Sequence, residues 1–375
     1  GHLDRIALTE HQIARDDGGG PPRHRSRRTA TGRPPHHDRA VVRPLVFAVV
    51  ALLPCGLTRL LDSPHRAVGV DPQPADGEDS TDEVVKWVEV YSQAMSLNLT
   101  PLDIAPIFQR QMEGHPRAWI FASATLAVGR DFGHYCRELG LNWVEPPIDT
   151  AVWGSPFDYP KQAMLYAPQD MPDPNAPDYP DAVARVAFPL IRAAHGRTFV
   201  LCTSLRAMRR IHEIIADRLE AEKLKLPLLI QGEGSRTELL ERFRKLGNAI
   251  LVASQSFWEG VDVPGDALSV VVIDKLPFAP PDDPVLAARI DNMQKEGRSP
   301  FMEYQLPRAV INVKQGAGRL IRTERDRGVL AICDPRMLTK PYGRRVWQSL
   351  PPMTRSKVEA EVVAFLEQLP PPAAA

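Results

Sequence analysis

The chain has 375 residues, enough for two domains or for one domain and a tail. Its 46 basic residues balance 46 acidic ones, so no global positive field marks it for nucleic acid, and any such surface must be a local groove. Its four cysteines, Cys55, Cys136, Cys202 and Cys333, stand far apart with no Cys-x-x-Cys pair, which leaves a zinc or iron–sulfur site of local spacing without support.

Residues 1–80 are crowded with Arg, His, Pro, Gly and Asp as far as Arg43. Gly18-Gly19-Gly20-Pro21-Pro22 and Pro34-Pro35-His36-His37 break any regular structure. Such a composition cannot bury a core, and the segment is expected to be disordered or aberrant, for instance the start of a truncated gene or an out-of-frame translation. Arg23, Arg25, Arg27 and Arg28 read as a solvated tail before they read as a nucleic-acid contact. The apolar run from Pro44 to Leu57 is interrupted by Pro54 and falls short of the roughly 20 residues that a spanning helix needs. It also lies too far into the chain for an export signal. The expectation is a cytoplasmic protein without a membrane partner.

Order is expected from about Asp82. Val84, Val85, Val88 and Tyr91 have helix or short-strand character, and Thr100-Pro101-Leu102-Asp103 reads as a helix start with proline in the first turn. Ala118 to Ala122 reads as a buried strand. At its end Ser123-Ala124-Thr125-Leu126 presents short hydroxyls where ligands sit in parallel sheets, or caps a helix. Asn142 to Pro180 is Pro- and Asp-rich, with Met171-Pro172-Asp173-Pro174 as a clear loop. From Asp181 helices and strands alternate. The first helix turns Val183, Val186, Ala187, Leu190, Ile191 and Ala194 inward, carries Pro189 as an expected kink, and ends at Gly196. Strands are predicted at Thr198–Cys202, Pro227–Gln231, Ala249–Ala253, Ser269–Ile273 and Gly328–Cys333. Cys202 and Cys333 should be buried thiols. Ser204 caps a helix with Leu205, Met208, Ile211, Ile215 and Leu219 inward, and Ser235 with Glu238 forms a capping box for a helix through Arg244. A closing helix near Ser356 to Leu369 precedes a tail at 370–375. The alternation predicts an α/β fold, a parallel sheet with helices on both faces.

Two stretches carry chemistry. In Gln315-Gly316-Ala317-Gly318-Arg319-Leu320-Ile321-Arg322, the residues Gln315, Arg319 and Arg322 are spaced i, i+4, i+7, so on a continuous helix they share one face. Paired guanidinium groups there could be plain solvated charge or a forked phosphate contact. In Ser256-Phe257-Trp258-Glu259-Gly260-Val261-Asp262-Val263-Pro264-Gly265, acids at a strand–loop junction read as a glycine turn with exposed carboxylates or as a ribose or Mg²⁺ contact.

Gln315 to Arg322 resembles motif VI of superfamily 2 helicases in the DinG/YoaA and XPD branch. Ser256 to Gly265 resembles that branch's motif V, and Ser123-Ala124-Thr125-Leu126 is similar to its motif III. The resemblance runs from about Trp87 to Leu369. It implies a RecA-like second motor domain over 151–369, preceded over 81–150 by a remnant of the first motor domain and a connector. It implies an ATP-dependent DNA helicase with a role in DNA repair, using ATP and Mg²⁺ and engaging single-stranded DNA or a duplex junction. Arg319 and Arg322 would be arginine fingers and Gln315 would contact the phosphate or attacking water. Glu259, Gly260, Asp262 and Gly318 would lie against the nucleotide, and Thr203, Ser204, Ser256, Ser123 and Thr125 against DNA. Asp334 would be a structural partner for an arginine.

The departures are equally definite. The chain has no Gly-x-x-x-x-Gly-Lys-Ser/Thr loop, no Asp-Glu-Ala-His-like box, and none of the clustered cysteines that hold the family's iron–sulfur centre. The reading is the second half of a motor, inactive alone, with a separate chain as the possible source of the first half. The alternative is a non-catalytic module that binds single-stranded DNA or a protein.

Overall fold

The computed structural model describes residues 67–69, 84–90, 94–112, 118–144, 147–254, 257 and 266–371. The expected N-terminal disorder, the Pro44–Leu57 run and Tyr91 lie outside them. Three antiparallel strands come first, β1 (Ala67–Gly69), β2 (Val84–Val90) and β3 (Met95–Pro101), in the order β1-β2-β3. Thr100 and Pro101 therefore end a strand instead of opening a helix. The proline sits on the strand that borders the sheet, where a missing N–H is tolerated. Helix α1 (Ala105–Met112) starts four residues later, where Asp103 Oδ1 accepts from Ala105 N at 2.8 Å.

Ala118 to Ala122 is not a buried strand. Ala118, Ile120 and Ala122 are exposed, and the segment makes only an isolated bridge at Ile120. A central parallel strand needs neighbours on both sides, and no ladder of the described residues supplies them. The aromatic side chains make other contacts: Trp119 and Phe121 stack at 6.3 Å, and Phe121 meets Tyr135 edge-on at 5.9 Å, beside α2 (Gly133–Glu138).

The main sheet has seven strands, and every neighbouring pair runs parallel. In chain order they are β4 (Ala163–Tyr166), β5 (Thr198–Cys202), β6 (Leu228–Ile230), β7 (Ile250–Ser254), β8 (Val270–Ile273), β9 (Gly328–Ile332) and β10 (Thr354–Ser356). In space the order is β10-β4-β9-β8-β5-β7-β6. Two of these strands were not legible. β4 lies inside the Pro- and Asp-rich stretch from Asn142 to Pro180, where no strand was expected, just after the short α3 (Tyr159–Gln162). It has four residues and no alternation, because both its faces are covered, and Pro and Asp on either side dominate its surroundings.

Alternate residues of each central strand enter opposite cores. Phe199, Leu201, Leu251, Ala253, Val271, Ile273, Leu330 and Ile332 face one side, and Val200, Cys202, Ile250, Val252, Val270, Val272, Val329 and Ala331 the other. The second core is closed by α4 (Tyr179–Ala193), α5 (Leu205–Ala221) and, after the other helices, α11 (Glu359–Glu367). The first is closed by α6 (Arg236–Leu246) and α8 (Leu306–Ala317). Between them α7 (Pro284–Lys295) starts at Asp283, whose carboxylate accepts from Val285 N and Leu286 N. Short helices α9 (Arg336–Thr339) and α10 (Gly343–Ser349) join β9 to β10.

The caps behave as the sequence predicts. Ser204 Oγ accepts from Ala207 N at the start of α5, and Ser235 and Glu238 form the capping box of α6. At the end of α4, Gly196 adopts φ +85° and donates to Ile191 O at 2.9 Å. A Cβ there would lie 1.9 Å from Asn248 O, so both the backbone angle and the space require glycine.

Candidate functional site

Two groups of polar side chains mark the two edges of the sheet. At the C-terminal edge, β5 runs into Thr203 and Ser204, β8 into Asp274, and β9 into Asp334. Thr203 is half-buried and turned inward: its N–H reaches both carboxylate oxygens of Asp274 at 3.1 and 3.0 Å, and its hydroxyl donates to Oδ2 at 3.1 Å. Ser204 is exposed at the N-terminus of α5. The Tyr179 hydroxyl donates to the carbonyls of Asp274 and Cys333 at 2.7 and 3.1 Å, and burial pushes its phenol far above the usual range, so it stays a donor. Asp334 accepts from Leu276 N and is gripped by Arg336, with Nη2 to Oδ2 at 2.6 Å, which is the arginine partnership expected from the sequence. Cys202 and Cys333 lie against this network, fully buried, with thiols pushed up by burial and therefore unreactive.

Asp274 is a buried carboxyl that sequence reasoning missed. Burial raises its pKa and the donors from Thr203 and Lys275 lower it. Burial is the larger effect, so the group titrates at about 6 against an ordinary 3.8. A carboxyl raised in the folded state favours folding below its unfolded value and loses that advantage as pH rises through its folded value. The difference is about 2 pH units, or about 3 kcal/mol. The melting temperature should therefore fall as pH rises from about 4 to about 7, and Asp274→Asn should flatten that fall. Equal slopes in both proteins would remove Asp274 as its source.

At the N-terminal edge lies the segment from Gln315 to Arg322. Helix α8 stops at Ala317, with Gly318 as its cap, so Arg319 and Arg322 belong to the following loop. The shared helical face predicted for Gln315, Arg319 and Arg322 does not form. Two glycines within one turn weaken the last turn, and Gly318 N closes on Lys314 O at 2.8 Å. Instead, Asp326 builds the loop. Its buried carboxylate accepts from Arg322 N and Thr323 N, both at 2.7 Å, and from the Thr323 hydroxyl at 2.8 Å. Gln162, directly before β4, donates to the carbonyls of Thr323 and Asp326 at 3.0 Å each. Both arginines are half-buried and engaged with neighbouring groups. Planar guanidinium groups fixed at a sheet edge suit the oxygens of a phosphate chain.

The structure therefore separates the candidate residues. β9 spans five residues between the edges, about 16 Å at 3.3 Å per residue. Thr203 and Ser204 lie at one end of that distance, and Arg319 and Arg322 at the other. Chain direction joins the two, because β7 ends at the first edge with Ser254 and β8 begins at the second with Val270. Ser256, Glu259, Gly260 and Asp262 lie outside the described residues. Their neighbour Phe257 is buried in the core, with Arg236 over its ring at 5.6 Å.

Ser123 and Thr125 bind each other, Oγ to Oγ1 at 3.2 Å, in an exposed turn. That turn is brought to α8 by Lys314, whose Nζ donates to Ala127 O at 2.9 Å. Lys314, Asp326 and Gln162 had no signal in the sequence, since lysine, aspartate and glutamine of this kind occur throughout the surface. Among the described residues no group of three or more His, Cys, Asp or Glu is placed to hold a metal ion, and Cys136, Cys202 and Cys333 are free thiols. No helix among them is long and apolar enough to cross a membrane.

Comparison with known proteins agrees with this fold. The model of the helicase C-terminal domain matches residues 188–353. The chain is similar to the ATP-dependent DNA helicase YoaA of Escherichia coli (strain K12), 47% identical over 280 residues, covering 75% of this chain and 43% of that protein. It is 36% identical over 275 residues to the ATP-dependent helicase DinG of Mycobacterium tuberculosis (strain ATCC 25618 / H37Rv), covering 73% of this chain and 40% of that one. Among solved structures, one titled XPD_Helicase matches with a TM-score of 0.50 at 16% identity, over 73% of this chain and 48% of that one. The chain thus spans about two fifths of the length of the curated relatives it matches.

Proposed function

Because the chain belongs to the YoaA and DinG family of helicases as their C-terminal portion, with a RecA-like sheet, we propose that it is the second half of an ATP-driven DNA motor. The observation that carries this reading is the loop from Arg319 to Arg322, locked by Asp326 and Gln162 at one edge of the sheet. Arg319 and Arg322 act as arginine fingers on the γ-phosphate of ATP held by a first motor half, with Gln315 and Gly318 beside the same phosphates. Mg²⁺ arrives with the nucleotide and is held chiefly by that first half; among the described residues no group of three or more His, Cys, Asp or Glu is placed to hold a metal ion. Ser204 and the N-terminus of α5 grip the backbone of single-stranded DNA at the other edge, and Ser256, Ser123 and Thr125 are further DNA contacts. Thr203 supports this grip from within through Asp274. Glu259, Gly260 and Asp262 couple DNA to nucleotide.

The sequence holds no phosphate-cradling loop, so the purified chain alone should hydrolyse no ATP, with or without single-stranded DNA. Adding a polypeptide that carries the first motor half should produce DNA-stimulated turnover. Turnover by the chain alone would overturn the half-motor reading. Salt-sensitive DNA binding that ignores nucleotide, with no turnover in the mixture, would instead favour a non-catalytic single-strand binder.

A further inference from the structure

Lys314 stands in the last turn of α8, three residues before the helix ends at Ala317 and one before Gln315. Its side chain is half-buried, and burial lowers the pKa of its ammonium group. Among the described residues no carboxylate pairs with it, and its acceptor is the neutral carbonyl of Ala127 at 2.9 Å. A half-buried cation without an anion weakens folding in a way that a methionine of similar length would not. The bond to Ala127 serves position instead.

That carbonyl belongs to a clip seated on the main domain. Ala127 and Val128 are buried, and Val128 enters the core that α8 closes. Val128 and Asp131 exchange backbone hydrogen bonds at 3.0 and 3.1 Å around Gly129, which adopts φ +68°. From α10, Arg345 Nη2 comes within 4.0 Å of Asp131 Oδ2. Thr125 lies two residues before Ala127, so its Cα is at most about 7 Å from that of the tethered residue. Arg319 lies two residues past the end of α8. The hydroxyl turn and the arginine loop, nearly 200 residues apart in sequence, therefore meet at one helix end. We propose that Lys314 is a positioning residue of the motor, an inference that rests on the half-motor reading above: its bond to Ala127 couples the turn that meets DNA to the helix end that carries the arginine loop. When DNA shifts the turn, α8 and its loop follow, and the guanidinium groups reach the phosphates in step with DNA. Lys314 touches neither DNA nor nucleotide in this role. It sets how fast the DNA-bound motor turns over and not how tightly DNA binds.

The test measures ATP turnover against single-stranded DNA concentration for the full-length chain, mixed with the portion of the Escherichia coli relative that precedes the matched stretch. Lys314→Met should lower the maximal DNA-stimulated rate about tenfold and leave the half-saturating DNA concentration within about twofold. It should melt no lower than the unmodified chain, because an apolar side chain of similar volume replaces an unpaired cation. Lys314→Arg keeps a donor long enough to reach the carbonyl and should restore most of the rate. Hydrogen exchange on the chain alone gives a readout that needs no turnover. The amides of Thr125 and Val128 should exchange about tenfold faster in Lys314→Met, as for the loss of one charge-assisted hydrogen bond, and at the unmodified rate in Lys314→Arg. A full rate or unchanged exchange in Lys314→Met overturns this inference and leaves the half-motor reading standing. A lower melting temperature alongside the lost rate, or an arginine variant no better than the methionine one, makes Lys314 a packing residue and also overturns it. No DNA-stimulated turnover by the unmodified mixture overturns the half-motor reading and this inference with it.

Discussion

Arg322→Ala, introduced into the motor completed by a first half, should lower DNA-stimulated ATP turnover about 10³-fold or more, with DNA binding little changed. The reasoning is electrostatic. Charge spreads over the oxygens of the transferring phosphoryl group, and a cation already fixed in place stabilises it without reorganising at the moment of reaction. The backbone that carries Arg322 is held, because Asp326 accepts its N–H at 2.7 Å and Gln162 anchors the carbonyl of the next residue. Arg322→Lys should rescue little, since an ammonium cannot present the planar fork. Asp326→Ala should reproduce part of the loss in kcat through a loop no longer held. It acts on position and not on charge, so added salt should not restore it. Steady-state turnover with saturating single-stranded DNA reads all three variants. Full turnover in Arg322→Ala would move the finger to Arg319 or out of this domain.

The second large effect is on stability. Phe243→Ala should cost about 3–5 kcal/mol, a large fraction of the 5–15 kcal/mol that holds a typical domain together. Phe243 is fully buried at the centre of the core beneath α6, with its ring 4.5 Å from that of Phe199 on β5. Removing it leaves a void between a helix and the middle of the sheet, where β5, β7 and β8 meet and collapse is least able to fill space. Urea unfolding followed by tryptophan fluorescence measures the loss as a lower midpoint at unchanged slope. A cost below about 1 kcal/mol would mean that α6 settles onto the sheet and closes the cavity.

Much of the architecture was legible because the pattern and the physics coincide. Thr198 to Cys202 and Val270 to Ile273 are runs of apolar residues bounded by turn signals, and only a strand covered on both faces uses such a run. Ser204 and Ser235 announced their helices through side chains that fill the first-turn N–H groups. Elsewhere local pattern and tertiary context disagreed. Ala118 to Ala122 reads like a strand, but a strand exists only through its neighbours. Ala163 to Tyr166 carries no strand signal within its Pro- and Asp-rich surroundings and is placed in the sheet by β9 and β10, which come 165 and about 190 residues later. The site was half legible. The family motifs put Arg319 and Arg322 forward, yet a helical spacing argument put them on a helix that two glycines end at Ala317. Asp274, Asp326 and Gln162 do their work through folded geometry alone, and nothing in a linear sequence distinguishes them from surface residues of the same type.

The position of β4 sets a timetable for synthesis. Its register pairs Ala163 with Gly328, so 165 residues must leave the ribosome before that neighbour exists, about 8 to 33 s at usual elongation rates. During that interval Ala163 to Tyr166 is an apolar stretch with no sheet to join, while β5 and β7 are separated by only 52 residues and can pair early. A nascent chain should therefore assemble the β5-β7-β6 side first and take in β4, and β10 beside it, last. Chaperones that hold unpaired strands would matter most for this segment.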